Sequence, residues 1–553
     1  MESVSKRSHK LMKPALPYIP VLLKAMQDPW SDGNPEGWIP LAVAENKLSN
    51  QEVLERLEAV KDYPTWVMNY AGIKGVPPLQ QALAGLMERT FVRDVRINSE
   101  HVCLSVGCSA IIDNLFFVLG DEGDGVLIPA PYYPAFDNDL KAKNHLQPLP
   151  FYLKEEEPIS PQIDQAVADA ATRGITVKAL LVTNPNNPLG IIYSDDTVKA
   201  MLAWCLEHKV HYVSDEIYAL SVYKPGPQPF VSALTLAQQL VARHSTAKAP
   251  LGAAADGHPS SPSPPSSSEA AAGGAGGAEA GSAAGASAAA AAAAAAVPGE
   301  AAAEAVGGLS RGTQPNGGGG GAGARSASSA PGGSEERSQG ASAQAGAAPA
   351  PATDGSSSGA ASFSQQDVNA YVHLIYGLSK DWCASGLRVG LLYSRNETLQ
   401  QALNSIAIFA GIPNPIQHAL AQVLSDAEWV EAFVQRNCRL LETSYDILAG
   451  KRLAHTRALS EAAIPFLPAV GGMFVWVDLR QWLPSPTWEG EEQLWSDLCN
   501  KSKVMFTPGQ PCHAQEPGFF RLCFAWMPPQ ALSVAVQRLG KQLKEIGAAA
   551  SAQ

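Results

Sequence analysis

Short runs of apolar, β-prone residues alternate along the chain with longer segments in which apolar residues recur every three or four positions. The segments at 78–90, 111–119 and 195–208 have this helical spacing. Because strands and helices alternate, the pattern predicts an α/β fold with a mostly parallel central sheet. The predicted buried strands are 102–106, 125–129, 178–183, 210–214, 372–376 and 389–393.

A second, smaller domain is predicted beyond this sheet. Its strands are the apolar runs at 471–479 and 518–524, and helices at 399–409 and 415–447 lead to it. Before the large domain, the pattern predicts a helix at 20–27, a strand at 38–44 and a helix around 51–60. We therefore predict an N-terminal arm with part of the small domain over 1–75, a large domain over 76–395 and a C-terminal small domain over 396–553.

Residues 245–364 interrupt the large domain with a tract of Ala, Gly, Ser and Pro that includes the alanine run 288–296. Such a composition offers almost no apolar surface to offset the entropy lost on ordering, so we predict a disordered insertion. The cost of closing a loop grows only logarithmically with its length. The insertion therefore need not disturb the fold around it.

Composition narrows the class of protein. The formal net charge of −12 argues against nucleic-acid and anionic-membrane partners, which favour basic surfaces. The eight cysteines form no CxxC pair and no cluster with zinc spacing, so they predict reduced thiols and no metal site. No apolar run approaches the ~18 residues of a membrane helix. The cytoplasm is the favoured location, while basic residues near the N-terminus leave a transit peptide open.

Three predicted strands end in residues with complementary chemistry. Lys380 follows one strand, Asp215 and Tyr218 follow another, and Asn187 lies in the turn after a third. Lys380 alone would be read as a solvated loop lysine, but ligands of open α/β sheets gather at the carboxyl ends of strands. The set suits pyridoxal 5'-phosphate, which needs a lysine for a Schiff base, an acid for its pyridinium nitrogen and neutral donors for its ring oxygen.

Three motifs in this order, NPNNPLG at 184–190, SDEIY at 214–218 and GLSKDWCASGLRVG at 377–390, resemble the class I/II aminotransferase family of fold type I enzymes. The segment AENKL at 44–48 is similar to the 1-aminocyclopropane-1-carboxylate synthase branch. The resemblance implies a homodimer with one pyridoxal phosphate per subunit. In it, Lys380 carries the cofactor and moves the Cα proton of the substrate, a small-molecule amino acid. Asp215 holds the ring nitrogen, and Asn187 and Tyr218 bind the ring oxygen.

The resemblance also implies how the rest of the cofactor is held. Ser109 and Arg388 would bind the phosphate, although the GCSA turn at 107–110 alone could reflect tight packing. Tyr132 would stack on the ring, with Tyr133 as the neighbouring candidate. Tyr70 would reach the phosphate of the other subunit, the alternative being a buried loop tyrosine. Gly377 departs from the family, where many relatives have a serine that binds the phosphate.

Two further residues are implied to bind substrate. Arg521 lies inside a predicted strand and suits an α-carboxylate, the alternative being a buried ion pair. Glu45 would lie near the substrate, and Asn187 would also contact it; alternatively, Glu45 and Asn46 only begin the following helix.

The reaction stays open between three classes. AENKL and SKDW favour a synthase that forms 1-aminocyclopropane-1-carboxylate from S-adenosylmethionine. ASGLR at 384–388 differs from the LPGFR typical of plant synthases and favours transamination or β-elimination. A non-catalytic protein on the same fold would need a broken site, whereas each expected position is filled.

Overall fold

The structure is a computed structural model that describes residues 5, 8–9, 16, 18–247, 363–450, 459–460 and 462–551. The predicted insertion at 245–364 lies almost entirely outside these residues. No helix in the described ranges has both the length and the apolar character needed to cross a membrane.

The strands of the described residues are β1 (Ile39–Pro40), β2 (Val102–Ser105), β3 (Gly125–Ala130), β4 (Gln147–Tyr152), β5 (Val177–Thr183), β6 (His211–Asp215), β7 (Val372–Gly377), β8 (Gly390–Ser394), β9 (Phe466–Leu467), β10 (Phe474–Asp478), β11 (Val504–Met505), β12 (Thr507–Pro508) and β13 (Phe519–Cys523). Seven of them form one large sheet with the order β4-β3-β5-β6-β7-β8-β2. Neighbouring strands from β4 to β7 are parallel, whereas β8 is antiparallel to both β7 and β2. The predicted mostly parallel sheet is therefore confirmed.

Both faces of the large sheet are covered, which explains why its strands are almost uniformly apolar. Leu180 and Leu374 point into one buried cluster, and their neighbours Leu181 and Ile375 point into another on the opposite face. Successive side chains of a strand alternate between faces, so a run such as 179–182 serves two cores. This double burial fixes the strand register, and with it the residues that emerge at the carboxyl ends.

Helices fill the connections between these strands. They are α1 (Ile19–Gln27), α2 (Asn50–Glu58), α3 (Pro77–Thr90), α4 (Cys108–Leu119), α5 (Phe136–Lys141), α6 (Ile159–Thr172), α7 (Asp195–His208), α8 (Ala233–Ala247), α9 (Gln365–Tyr371), α10 (Glu397–Ile406), α11 (Asn414–Ser425), α12 (Ala427–Ala449), α13 (Trp488–Ser502) and α14 (Pro529–Ser551).

The single long helix predicted at 415–447 is wrong, because Asp426 divides it into α11 and α12. Asp426 has an extended backbone, and its side chain accepts a hydrogen bond from the Trp429 amide at 3.0 Å. An aspartate in this role begins a new helix rather than continuing the old one. The chain therefore changes direction where the apolar spacing alone indicates continuity.

A smaller antiparallel sheet has the order β12-β13-β10-β9. Its apolar residues pack with α13, α14 and the second half of α12, and Ile39 of the N-terminal segment joins the same cluster. The strand predicted at 38–44 is much shorter, since only Ile39–Pro40 pairs, with β11. Pro40 has no amide hydrogen to extend the pairing. The predicted domain boundaries at 75 and 395 stay predictions.

Candidate active site

A cavity of about 160 Å³ opens at the edge of the large sheet where β5, β6 and β7 end. Because β8 is antiparallel, its first residues lie at the same edge, and Arg388 precedes them. Six of the predicted residues line this one cavity: Ser109, Asn187, Asp215, Tyr218, Lys380 and Arg388. These residues are distant in the sequence and meet because they follow strands that end at the same edge of the sheet, where open α/β sheets bind their ligands.

Lys380 is partly buried, three residues after β7 ends. Its Nζ donates a hydrogen bond to the carbonyl oxygen of Ala44. Burial lowers the pKa of Lys380 from its usual value, and the neighbouring positive charge of Arg521 lowers it further, against an opposite effect of Cys523. A lower pKa raises the fraction of the amine that is neutral, and the neutral amine is the form that attacks an aldehyde or accepts a proton.

Asp215 is the last residue of β6 and is 6% exposed. Its Oδ2 accepts a hydrogen bond at 3.2 Å from Thr183, which lies directly opposite on β5. Its Oδ1 is buried and has no hydrogen-bond partner among the described residues. Burial raises the pKa of Asp215 to about 6, against the hydrogen bond from Thr183. This carboxylate therefore offers one free oxygen to a donor in the cavity.

Asn187 joins two other site residues. Its Nδ2 donates to the hydroxyl oxygen of Tyr218 at 3.3 Å, and its Oδ1 accepts from Nη1 of Arg521 at 2.9 Å. All three side chains are buried. A rotation of Asn187 would break both contacts, so the amide fixes the guanidinium and the phenol relative to each other.

Arg521 is 1% exposed and lies in β13. Nη2 donates to the carbonyl oxygen of Ala42 at 2.9 Å and to Oγ1 of Thr507 at 3.1 Å, while Nε has no partner in the described part of the chain. The guanidinium also lies 4.6 Å from the ring centre of Phe474. These partners are neutral, so a buried structural ion pair does not account for Arg521. A buried guanidinium without a carboxylate is suited to one from a ligand.

The start of α4 forms another part of the cavity wall. Gly107 precedes this helix with φ +92°, a conformation that favours glycine, and a Cβ built there would lie 2.5 Å from Nη2 of Arg388. Ser109 is in the first turn, where amide N–H groups have no helical partner. A helix N-terminus with a hydroxyl and a guanidinium is suited to a phosphate.

Glu45 lies beside this cavity, because Ala44 binds Lys380 and the hydroxyl of Ser385 donates to Oε1 of Glu45. Neither Glu45 nor Asn46 caps α2, whose preceding residue is Ser49. Asn46 instead donates to Oδ1 of Asn437 at 3.0 Å. The interpretation of these two residues as helix caps is therefore wrong.

The two neighbouring tyrosines lie in different places. Tyr133 lines the cavity, whereas Tyr132 does not. Tyr132 is buried elsewhere, and its hydroxyl donates a hydrogen bond to Oδ1 of Asp137 at 2.7 Å. The ring of Tyr132 stacks on His513 at 4.5 Å. Of these two tyrosines, only Tyr133 lines the cavity and can contact a ligand there.

Tyr70 is fully exposed and lies away from the cavity, so it is not a buried loop tyrosine. It lines a surface groove with Ile73 and Ile408, which are 51% and 57% exposed. Within one copy of the chain Tyr70 does not meet the residues that line the cavity.

Several cavity residues were absent from the sequence prediction. Thr183 ends β5 opposite Asp215, Ser385 binds Glu45, and Asp139 lines the wall near Ser109. The apolar run before Thr183 gave a signal for its position at a strand end. Ser385 and Asp139 had none, because their positions in the cavity depend on how segments distant in the sequence approach each other.

Cys108 explains the glycine at 377. A Cβ built on Gly377 would lie 2.7 Å from Sγ of Cys108 and 2.9 Å from the carbonyl oxygen of Val389. Sγ of Cys108 donates a weak hydrogen bond to the carbonyl oxygen of Tyr376 at 3.3 Å. The space that a serine would need at this position is thus occupied.

Gly377→Ser is accordingly expected to lower the free energy of unfolding by about 1–3 kcal/mol through overpacking. Adding Cys108→Ala should recover part of this loss, as measured by urea unfolding. Gly386→Ser is the control, because a Cβ at Gly386 meets nothing within 4 Å. Equal stability of Gly377→Ser and the original protein would contradict this account of the packing.

The residues present fit pyridoxal 5'-phosphate. The unpaired oxygen of Asp215 suits a protonated ring nitrogen, the start of α4 with Arg388 suits a phosphate, and Lys380 suits the aldehyde. No group of three or more His, Cys, Asp or Glu in the described ranges could hold a metal ion.

Comparisons with known proteins agree with this geometry. The family model described as aminotransferase class I and II matches residues 36–255 and 342–539. Among curated proteins, 1-aminocyclopropane-1-carboxylate synthase 2 of Solanum lycopersicum is 26% identical over 520 residues, covering 92% of this chain and 80% of that protein. Synthase 3 of Oryza sativa subsp. japonica is 28% identical over 535 residues, covering 94% and 90%.

Solved structures share the fold. An archaeal alanine:glyoxylate aminotransferase matches with a TM-score of 0.63 at 15% identity, covering 98% of each chain. A double mutant of Thermus thermophilus aspartate aminotransferase matches with a TM-score of 0.60 at 17% identity, covering 98% of this chain and 100% of that one. The architecture is that of the fold type I enzymes, as predicted.

Proposed function

The chain belongs to the class I and II aminotransferase family and is a pyridoxal 5'-phosphate-dependent enzyme, and from this premise we propose that it converts S-adenosylmethionine into 1-aminocyclopropane-1-carboxylate and methylthioadenosine. The observation that carries the proposal is a carboxylate, Glu45, next to the residue that binds Lys380. The sulfonium of S-adenosylmethionine is a fixed positive charge, and a carboxylate beside the reacting amine suits it. The similarity to curated synthases of 1-aminocyclopropane-1-carboxylate supports the same substrate.

The site residues have distinct roles in this proposal. Arg521 binds the α-carboxylate, and Asn187 holds this guanidinium and the Tyr218 phenol in one arrangement. Asn187 and Tyr218 would bind the ring oxygen of the cofactor. Oδ1 of Asp215, which is buried without a partner among the described residues, would accept a hydrogen bond from the ring nitrogen. When bound, the cofactor supplies an electron sink for the bond pair of the substrate's Cα–H.

Lys380 carries out the proton transfer. Its Nζ removes the proton from Cα, because its amine is already desolvated and Arg521 holds the substrate beside it. The electron pair left at Cα then forms a bond to Cγ as the Cγ–S bond breaks. The sulfur leaves as the neutral thioether methylthioadenosine, and the three-membered ring closes without an oxidant or a reductant.

One observation favours a second function, amino transfer between an amino acid and a 2-oxo acid. Ser385 donates a hydrogen bond to Glu45. At this position the typical plant synthase motif has a proline, which offers no hydroxyl. An oxygen of Glu45 is thus already bound, which weakens its attraction for a sulfonium.

A homodimer belongs to the proposal as well. Tyr70, Ile73 and Ile408 are exposed side chains around one surface groove, and soluble proteins rarely leave a large apolar patch uncovered. A second copy would cover it, and Tyr70 would then complete the phosphate site of its partner. The eight cysteines are all free, which supports a reducing compartment such as the cytoplasm.

The purified full-length chain, loaded with pyridoxal phosphate, should release methylthioadenosine from S-adenosylmethionine. A parallel incubation with an amino acid and 2-oxoglutarate or pyruvate measures amino transfer. Glu45→Gln keeps the size of the side chain but removes its charge, so it should raise KM for S-adenosylmethionine and leave amino transfer less affected. Amino transfer without methylthioadenosine would replace the first function with the second.

A further inference from the structure

Asp139 is a carboxyl on the cavity wall that the roles above leave unused. It lies on α5, and it faces the cavity with Phe136 of the same helix. Ser109 and Cys108 of α4 line the cavity too. Asp139 is thus at the end of the cavity that includes the start of α4, where the phosphate is proposed to bind.

Oδ2 of Asp139 is buried and makes no hydrogen bond with any described residue. Oδ1 of Asp215 is the other such carboxylate oxygen on this cavity, and the ring nitrogen accounts for it. A buried polar atom without a hydrogen-bond partner destabilises the fold. Such an atom on a cavity wall therefore points to a group supplied by a ligand.

The charges around Asp139 determine which form of the carboxyl can bind. Asp113 on α4 and Asp215 on β6 are carboxylates that face it, and Lys143 is already paired with Asp113 at 2.5 Å. Burial raises the pKa of Asp139 to about 7, with Asp113 and Asp215 adding to the effect and a hydrogen bond from Ser109 opposing it. The cations on the cavity wall are Lys380 and Arg388.

We propose that Asp139 is a cofactor-binding residue whose neutral carboxyl donates a hydrogen bond to a phosphate oxygen of pyridoxal phosphate. An ionised Asp139 would repel the phosphate and could not donate to it. Binding therefore requires the protonated form. The proposal rests on the proposed function, since it needs the phosphate to lie at the start of α4.

The sign of the pH dependence follows from this requirement. Below pH 7 Asp139 is already protonated, and the cofactor binds without further cost. Above pH 7 it must take up a proton on binding, so affinity falls as pH rises. Other groups also titrate on binding, among them the phosphate itself and Lys380, and a variant that differs only at Asp139 isolates its contribution.

The experiment measures the dissociation constant of pyridoxal phosphate for the full-length chain, stripped of cofactor, between pH 6 and 8.5. Asp139→Asn keeps a donor that does not titrate. We divide the dissociation constant of the original protein by that of Asp139→Asn at each pH. This ratio should rise about tenfold between pH 7 and 8.5, because only the original protein loses its donor as pH rises. Asp139→Ala, without a donor, should bind more weakly than Asp139→Asn at every pH. A constant ratio across this range would overturn the proposal.

Two further arms make the outcome specific. Pyridoxal lacks the phosphate, so the same ratio measured with pyridoxal should stay constant across this pH range. A ratio that still rises would overturn the assignment to the phosphate.

Asp113→Asn removes a negative charge next to Asp139, so the affinity for pyridoxal phosphate should begin to fall at a lower pH than in the original protein. If the fall begins at the same pH, the result counts against the proposal. If the original protein binds no pyridoxal phosphate, the proposed function fails; if it binds with a constant ratio, this inference alone fails.

Discussion

Replacing Lys380 with alanine is expected to lower turnover by about 10⁴-fold, the upper end of what one positioned proton-transfer group contributes. The bound cofactor should also lose the visible absorbance that depends on its bond to the lysine. No other lysine lines the cavity formed by the described residues. An absorbance spectrum and a rate measurement on the purified variant check both effects.

Lys61→Ala is the matched control, because Lys61 is an exposed lysine whose ammonium pairs with Glu58 on the surface. It should leave both the spectrum and the rate unchanged. A Lys380→Ala variant that keeps the original absorbance and turnover would mean that another amine carries the cofactor.

Arg521→Lys is expected to lower kcat/KM by about 10- to 150-fold, equivalent to the ~1.5–3 kcal/mol of a hydrogen bond to a charged group. Lysine keeps the charge but loses the planar pair of donors, one of which binds Asn187. The substrate carboxylate is then no longer held so that Cα–H faces the reacting atoms. The absorbance of the bound cofactor should be retained.

Two other arginines separate this effect from general damage. Arg388→Lys should first weaken cofactor affinity, because its guanidinium lies against the start of α4. Arg538→Lys is the control, since Arg538 binds backbone oxygens such as that of Gly37 and lies outside the cavity lining. If the chief defect of Arg521→Lys were loss of cofactor, the roles given to Arg521 and Arg388 would be mistaken.

Residues at strand ends could be predicted because two sheet faces constrain each strand. Val213 and Tyr212 point into opposite cores, so the run before Asp215 has an apolar pattern that identifies its end. The same argument brought Lys380 and Asn187 to one edge. The family motifs then distinguished this lysine from an ordinary surface lysine, which spacing alone could not do.

Features that depend on distant segments could not be predicted. Cys108 contacts the position of Gly377 because α4 packs against the end of β7. The two residues are 269 positions apart in the sequence (377 − 108). Tyr132 and Tyr133 are adjacent and chemically alike, and only the packing of His513 against Tyr132 separates their roles. By contrast, two errors concerned residues with a local signal. Asp426 is a common helix-capping residue and Pro40 cannot extend strand pairing, but the prediction followed the apolar spacing and ignored both.

The most direct test of the central claim is to reduce the cofactor-loaded, full-length protein with borohydride and locate the modified lysine by peptide mass spectrometry. Reduction makes the bond between a lysine amine and the cofactor permanent. The account predicts pyridoxyl phosphate on Lys380. Modification of a different lysine, or of none although the cofactor is bound, would contradict it.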